Sequence, residues 1–184
     1  MSIWKKLFGN KEESPSLDPF ADLVLEKLKP GYLVDYDGRT WEVTANHSYD
    51  MGDGTVSEEW ELRADGDTRY LNRGEADGAY WTFTRKVPLG LIVENLRAHI
   101  ERNGDPPQTI SYEGTLFSMD TYGGAKFLRN RQAPPQPFLY WDYRSEGGRE
   151  ILTVEQWGDI EFEARVGRLV EEYQFINILP GKRS

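Results

Sequence analysis

The side chains most able to do chemistry in this sequence are aromatic rings that lie beside carboxylates. Tyr140-Trp141-Asp142-Tyr143 is one such run, and Trp157-Gly158-Asp159 is another. Rings next to carboxylates can hold an organic cation through cation–π and ionic contacts. Because alternate residues of a strand share a face, Tyr140 and Asp142 would point together and away from Trp141. The sequence therefore predicts a ligand site at Tyr140 and Asp142, with Trp157 and Asp159 as further candidates.

Two acidic residues earlier in the chain extend this candidate site. Glu59 and Glu61 alternate with Trp60 and Leu62, and Trp60 corresponds to Trp141 in a similar later segment. We predict that both tryptophans are core residues, since Leu62 shares the face of Trp60. Glu59 and Glu61 are then ligand-binding candidates beside Asp142, and the alternative is a solvated strand face.

Catalysis is not predicted from these carboxylates. A carboxylate pair can do acid–base chemistry, but the sequence offers no nucleophile or bound metal nearby to complete a mechanism. The chain has no cysteine, and its two histidines, His47 and His99, stand alone in the sequence. The segment Asp50-Met51-Gly52-Asp53-Gly54-Thr55 lacks the ligand spacing of a calcium loop and is typical of a hairpin turn. We therefore expect no enzyme activity, no metal and no cofactor.

The composition limits the classes of partner. Asp and Glu total 31 against 22 Lys and Arg, which gives a formal net charge of −9. A surface of that sign repels phosphate backbones, so nucleic acid is not expected as a partner. The sequence shows no apolar run long enough to span a membrane and no signal-peptide pattern, so we expect a cytoplasmic protein.

The first residues of the chain combine apolar and basic side chains. Five of them could contact an anionic membrane surface or a partner protein: Trp4, Lys5, Lys6, Leu7 and Phe8. The apolar members would insert while the lysines meet the lipid headgroups, but the segment is too short to anchor the chain alone. We predict that residues 1–16 form a flexible arm. Two roles are open for it: peripheral contact at the inner face of the membrane, or docking of its apolar residues on the domain or on a partner protein.

Two helices and two runs of strands must position these side chains. Apolar residues at helical spacing predict one helix from Leu17 to Lys29 and a second between Pro88 and Gly104. After each helix the apolar period changes to two, which is typical of antiparallel strands. Turns are predicted at four glycine-containing places: Asp37–Gly38, Asp65-Gly66-Asp67, Gly123–Gly124 and Gly147–Gly148.

The two runs of strands resemble each other, since residues 34–41 (VDYDGRTW) align without a gap with residues 110–117 (ISYEGTLF). We predict a mainly β fold with two tandem antiparallel meander or barrel-like halves, related by internal duplication. The predicted units are 17–87 (short N-terminal helix and first β unit), 88–107 (connecting helix and linker) and 108–181 (second β unit). A cleft between the halves is the expected place for a ligand.

Several motifs, in order along the chain, resemble the bacterial domain of unknown function 4178. The motifs are Leu28 to Val43, Glu59 to Leu62, Trp81 to Phe83, Tyr140 to Tyr143, Glu155 to Glu163 and Ile178 to Gly181. The resemblance implies no known activity and no catalytic residues. It also implies a setting, because genes of that family lie near those for phage-shock-protein-A-like membrane-stress proteins, small membrane proteins and polyamine aminopropyltransferase-like proteins. That setting is membrane-associated or polyamine-linked.

Two functions are consistent with these observations. The first is a non-catalytic, cytoplasmic, β-rich interaction module that is accessory to a bacterial membrane-stress system. Its expected partner is a phage-shock-protein-A-like protein or a membrane protein. The alternative is a small-ligand binding protein for an organic cation such as a polyamine, because the chain is acidic and carries aromatic–acidic pairs.

Overall fold

The structure of the protein is a computed structural model, and it describes residues 23–75, 78–92, 95–132 and 134–181. The predicted arm, with Trp4, Lys5, Lys6, Leu7 and Phe8, lies outside the described residues. Residues 17–22 of the predicted first helix also lie outside them. Its described end is a 3-10 turn, Leu25–Lys27, and Leu25 packs into the core.

Antiparallel strands make up most of the described chain. In chain order they are β1 (Leu33–Tyr36), β2 (Arg39–Asp50), β3 (Val56–Ala64), β4 (Asp67–Glu75), β5 (Ala79–Val87), β6 (Thr109–Tyr112), β7 (Thr115–Leu128), β8 (Gln136–Ser145), β9 (Glu150–Trp157), β10 (Glu161–Val170) and β11 (Ile176–Leu179). One described α-helix, α1 (Leu96–Asn103), lies between β5 and β6. The prediction of a mainly β fold is confirmed.

Several strands are joined by two-residue turns in which both residues have positive φ. Asp37 and Gly38 have φ of 51° and 73°, and Asp65 and Gly66 have φ of 48° and 80°. A tight hairpin turn whose twist matches that of its strands needs this combination, and Asp followed by Gly adopts it at low cost. The hairpins predicted at these two places are confirmed.

Eight of the strands close into a ring. Its order is β2, β3, β4, β5, β10, β9, β8 and β7, and β7 pairs back with the end of β2. β1 and β11 extend the sheet beside the start of β2, and β6 does so beside the start of β7. The first run of strands, β1–β5, therefore meets the second, β6–β10, at the β5–β10 and β2–β7 pairings. Their origin by duplication stays a prediction.

Each run of strands carries a hydrophobic core on the face that points away from the inside of the ring. Trp60 and Leu62 belong to the first core, and Trp141 and Val154 belong to the second. Trp60 is 1% exposed and Trp141 is 2% exposed. The prediction that both tryptophans are core residues is confirmed.

The predicted second helix is not continuous. Pro88 is followed by a 3-10 turn, Leu89–Leu91, and α1 begins only at Leu96. Asn95, just before α1, has a left-handed φ of 61°, which an asparagine tolerates better than most residues and which a right-handed helix cannot contain. Within the described ranges, no helix is both long and apolar enough to cross a membrane.

The turn predicted at Gly123–Gly124 is wrong, because both residues lie inside β7. Gly123 pairs with Tyr140 of β8, and a side chain at position 123 would press against the Tyr140 ring. Glycine inside a strand can mark such a close approach as well as a turn. Gly147, by contrast, lies in the turn between β8 and β9, as predicted.

Candidate ligand-binding cavity

A cavity of about 660 Å³ lies inside the ring, between the two runs of strands. Glu59 of β3 and Thr82 of β5 line one side, and Asp142 of β8 and Thr153 of β9 line the other. These positions alternate with core residues along their strands, so the period-two pattern turns polar side chains inward. The chain thereby builds a polar interior between two apolar cores.

A buried ion-pair cluster joins the two runs of strands at the cavity wall. Arg165 of β10 is 8% exposed, and its Nη1 donates to Oε2 of Glu59 at 2.5 Å. Its Nε lies 3.5 Å from Oε1 of Glu155 on β9. The guanidinium carbon of Arg165 stands 4.5 Å from the centre of the Tyr70 ring. One buried cation therefore serves two buried carboxylates.

Burial and charge act in opposite directions on this cluster. Burial lowers the pKa of Arg165, but the carboxylates of Glu59 and Glu155 outweigh it and hold that pKa well above the ordinary value. Burial raises the pKa of Glu155, although Arg165 partly opposes the change. Arg165 therefore stays charged, while Glu155 takes up a proton more readily than an exposed glutamate does.

Two buried polar atoms of this region make no hydrogen bond within the described residues: the Tyr49 hydroxyl and Nε of Arg165. Burial raises the pKa of Tyr49 well above its usual value, and the charge of Glu59 adds to that effect. A buried polar group without a partner costs free energy, and such groups are few in native proteins. The cluster is therefore less fully satisfied than an ordinary packed core.

Asp142 is the lining carboxyl group that has hydrogen-bond support but no cation. The Thr153 hydroxyl donates to its Oδ1 at 2.6 Å. Among the described residues, no lysine or arginine nitrogen comes within 4.0 Å of Asp142. Burial raises the pKa of Asp142, while Thr153 and the more distant Arg144 act against that rise.

Two tyrosines stand near Asp142 and give the cavity aromatic walls. Tyr140 shares the strand face of Asp142, and Tyr80 comes from the start of β5. Burial raises the pKa of both hydroxyls, and the charge of Asp142 raises them further. Tyr80 pairs in register with Gly74 of β4, where a side chain would overlap the tyrosine ring. Both rings are thus fitted over glycines, Tyr80 over Gly74 and Tyr140 over Gly123.

The structure brings three of the six predicted ligand-binding residues together, since Tyr140, Asp142 and Glu59 all line the cavity. Trp157 does not line the cavity: it stacks on Phe138 at 4.5 Å between ring centroids, and its indole N–H donates to Glu155. The remaining two candidates, Glu61 and Asp159, do not line the cavity.

Glu61 and Asp159 are these two outlying residues. Glu61 accepts a hydrogen bond from Thr44 at 2.8 Å and pairs with Arg63 at 2.9 Å. Asp159 is exposed in the turn between β9 and β10. Glu61 shares the strand face of Glu59, as predicted, but the cavity ends before it.

Sequence reasoning missed the partners that complete the cavity wall: Tyr49, Tyr80, Thr153, Glu155 and Arg165. A signal existed, because Glu155 directly follows Val154 and Arg165 directly precedes Val166, which places each charge on the strand face opposite an apolar residue. An inward charge on such a strand indicates a polar interior. The pattern alone does not identify Glu59, which lies more than 100 positions earlier, as the partner of Arg165.

The cavity lining is acidic overall. Its carboxyl groups are those of Glu59, Asp120, Asp142 and Glu155, and its guanidinium groups are those of Arg144 and Arg165. Arg144 pairs with Asp120 at 2.6 Å near one end, which leaves the excess of carboxylates in the interior. Within the described ranges, no three His, Asp or Glu side chains are grouped to ligate a metal ion.

Comparison with known proteins places the chain in a family. The family model of the domain of unknown function DUF4178 matches residues 29–172. An uncharacterized protein of Aquifex aeolicus (strain VF5) is 34% identical over 176 residues, which cover 96% of each chain. No solved structure matches. The chain belongs to the DUF4178 family.

Proposed function

We propose that this protein binds a small organic cation in the ring cavity, with Asp142 as the counter-ion. The observation that carries the proposal is the carboxyl group of Asp142, which is fixed by Thr153 and has no cation within 4.0 Å among the described residues. The two fully buried carboxylates that line the cavity, Glu59 and Glu155, already share Arg165.

A protonated amine would offset the cost of holding the half-buried carboxylate of Asp142 in the cavity wall. A carboxylate away from water is costly unless it is paired and hydrogen-bonded. An ammonium group beside Asp142 would supply the missing charge, and the rings of Tyr80 and Tyr140 would add cation–π attraction of about 0.5–2 kcal/mol each. Ser57, Asn72 and Thr82 also line the cavity and offer hydrogen bonds to a ligand that carries N–H groups.

Titration calorimetry with spermidine tests this function. We expect saturable binding that Asp142→Asn weakens by at least about tenfold, because the variant keeps the shape of the side chain and loses its charge. Asp159→Asn is the matched control, since it removes the same charge from an exposed turn. A heat signal that salt abolishes, or that both variants reduce equally, would show only nonspecific attraction to an acidic protein.

A second candidate function is that of an interaction module for a membrane-stress protein in the cytoplasm. The observation that favours it is the edge strand β11, where Ile176 is 56% exposed and Leu179 is 51% exposed. Within the described residues β11 pairs only with β1, so its other edge can accept a strand from a partner. The proposed partner is a phage-shock-protein-A-like or membrane protein.

Binding to a purified phage-shock-protein-A-like protein tests this second function. The double change Ile176→Lys and Leu179→Lys should abolish binding, whereas Ile160→Lys, in an exposed turn, should leave it unchanged.

Membrane contact through residues 1–16 is a separate proposal. Anionic vesicles should pellet the full chain more efficiently than a chain that starts at Leu17, and equal pelleting would contradict it.

A further inference from the structure

We propose that the pairing of β2 with β7 is a pH-sensitive gate to the cavity, held closed by the imidazole of His47. The inference concerns regulation of the proposed site, and it rests on the proposed function only where it speaks of ligand entry. We call residues 47–50 together with residues 126–130 the seam. The seam closes the ring, and its opening would expose the interior.

The seam is the shortest pairing in the ring. Ser48, Tyr49 and Asp50 pair with Leu128, Phe127 and Lys126, and the ladder between β2 and β7 extends no further among the described residues. The neighbouring strands of the ring pair along most of their length, as β7 does with β8. Fewer ladder hydrogen bonds hold the seam, so it is the place in the ring where local opening costs least.

The seam also forms part of the cavity wall. Tyr49 and Phe138 both line the cavity, and they pack with Phe127 in an aromatic cluster. The rings of Tyr49 and Phe127 are 5.2 Å apart between centroids, and those of Tyr49 and Phe138 are 5.7 Å apart. Separation of β2 from β7 would therefore take Tyr49 away from Phe127 and open this side of the cavity.

His47 ties the two strands together just beyond the ladder. It is 5% exposed, and its Nδ1 accepts a hydrogen bond from the backbone N–H of Asn130 at 2.9 Å. Asn130 has a left-handed φ of 51°, so the chain turns sharply after β7 to present this N–H. The imidazole also meets the Phe127 ring edge-on at 5.0 Å. Nδ1 can accept only while the imidazole is neutral and its proton is on Nε2.

Charged groups of both signs face His47. Glu59 and Glu61 come from β3, where Glu59 pairs in register with His47. Arg129 follows β7, and Arg165 comes from β10. Burial lowers the pKa of His47 below its ordinary value of 6.5, and the arginines add to this, while the two glutamates oppose it. The neutral form required for the tie is therefore the stable one at neutral pH.

Protonation of His47 would break its hydrogen bond with Asn130. An imidazolium carries a proton on Nδ1, which would then face the N–H proton of Asn130, so that two donors oppose each other. Two further ties are weak: the ion pair of Arg131 with Glu58 has a half-exposed arginine, and the hydrogen bond that Arg131 donates to Asn46 of β2 is long, at 3.4 Å. Acidification below the ordinary histidine pKa should thus open the seam and release the ligand.

Hydrogen exchange of the full chain without ligand, at about pH 7.5 and about pH 5, tests the gate. After correction for the intrinsic effect of pH, amides of the seam should exchange at least about tenfold faster in acid. His47→Asn should abolish this acceleration, because the Asn carbonyl can replace Nδ1 as an acceptor and does not titrate. His99→Asn, on α1, is the matched control and should behave like the native chain.

Two results would overturn the gate: seam exchange that does not change with pH, or an acid response that His47→Asn retains. If His47→Asn fails to fold, an NMR titration of the native chain replaces it, and the Asn130 amide must then shift together with the His47 imidazole. Spermidine calorimetry separates the two proposals. A pH-sensitive seam in a protein that does not bind spermidine would reject the proposed function and support the gate. Spermidine binding with a pH-insensitive seam would support the proposed function and reject the gate.

Discussion

Asp142 shows at the scale of one residue how a proposed binding group can work against the stability of its own fold. Burial raises the pKa of Asp142, so the native state binds this proton more tightly than the unfolded chain does. Below the ordinary pKa of 3.8 the carboxyl is protonated in both states and costs nothing. As pH rises through the raised pKa, the native state alone bears the cost of a half-buried charge, so stability falls.

Asp142→Asn should therefore stabilise the protein at about pH 8 and have little effect at about pH 4, as measured by thermal unfolding. Asp35→Asn provides the opposite case. Hydrogen bonds from Thr40 and Asn177 lower the pKa of Asp35, so the ionised form stabilises the native state above the ordinary pKa. That variant should lose stability at about pH 8 and little at about pH 4. Equal behaviour of the two variants would contradict both assignments.

Strand alternation was enough to predict which face Asp142 occupies, because Trp141 had to enter a core. The same argument placed Tyr140 and Glu59 correctly on inward faces. Trp157 and Asp159 were candidates by residue type alone: the Trp157 ring packs on Phe138 outside the cavity lining, and Asp159 lies past the end of β9. Periodicity identifies the face of a strand but gives neither the length of the cavity nor the point where a strand ends.

At the scale of the element, β4 and β7 each use glycine to seat a tyrosine ring. Gly74→Ala should push the Tyr80 ring aside, because the new methyl group would overlap it. We expect a several-fold loss of spermidine affinity with a small change in stability, since the ring is at the free end of a side chain. Gly90→Ala is the matched control, because a side chain there meets nothing within 4 Å. Equal affinities of the two variants would remove Tyr80 from the proposed site.

These glycines also explain where prediction of the elements failed. Asp37–Gly38 and Gly123–Gly124 both contain a residue that favours turns, and only the first forms a turn. The difference lies in β8, whose Tyr140 fills the space beside Gly123. The predicted second helix failed for a related reason, since Asn95 adopts a left-handed conformation that apolar spacing does not report. The strand at Gly123 depends on Tyr140, which is remote in sequence, and the break in the helix depends on one backbone torsion, that of Asn95.

At the scale of the whole molecule, the ring joins the two β units that the sequence predicts as separate. The predicted units 17–87 and 108–181 share strand pairings at β5–β10 and β2–β7, and Arg165 of the second unit binds Glu59 of the first. The similarity of the two runs predicts their shared strand order. It does not predict these cross-connections, because each run alone is also consistent with a separate small barrel.

Differential scanning calorimetry should therefore show a single cooperative transition for the full chain. Arg165→Met should lower the stability by about 3–5 kcal/mol without splitting this transition, because it leaves Glu59 and Glu155 buried and unpaired. Arg168→Met on the same strand is the matched control. Arg168 is about half exposed beside Asp37, so its loss should cost less than about 1 kcal/mol. Two separate transitions would show that the units unfold independently.

The ring also has a consequence for the time course of folding. Six of its eight pairings join strands that follow each other along the chain, and only β5–β10 and β2–β7 join distant ones, such as Ser48 with Leu128. Hairpins form within about 1–10 μs, whereas contacts between distant residues must first overcome the entropy of loop closure. Each meander is thus expected to form early, before the two meanders pair with each other. Until they meet, the future cavity walls are open faces exposed to neighbouring chains, which makes late ring closure the stage most vulnerable to aggregation.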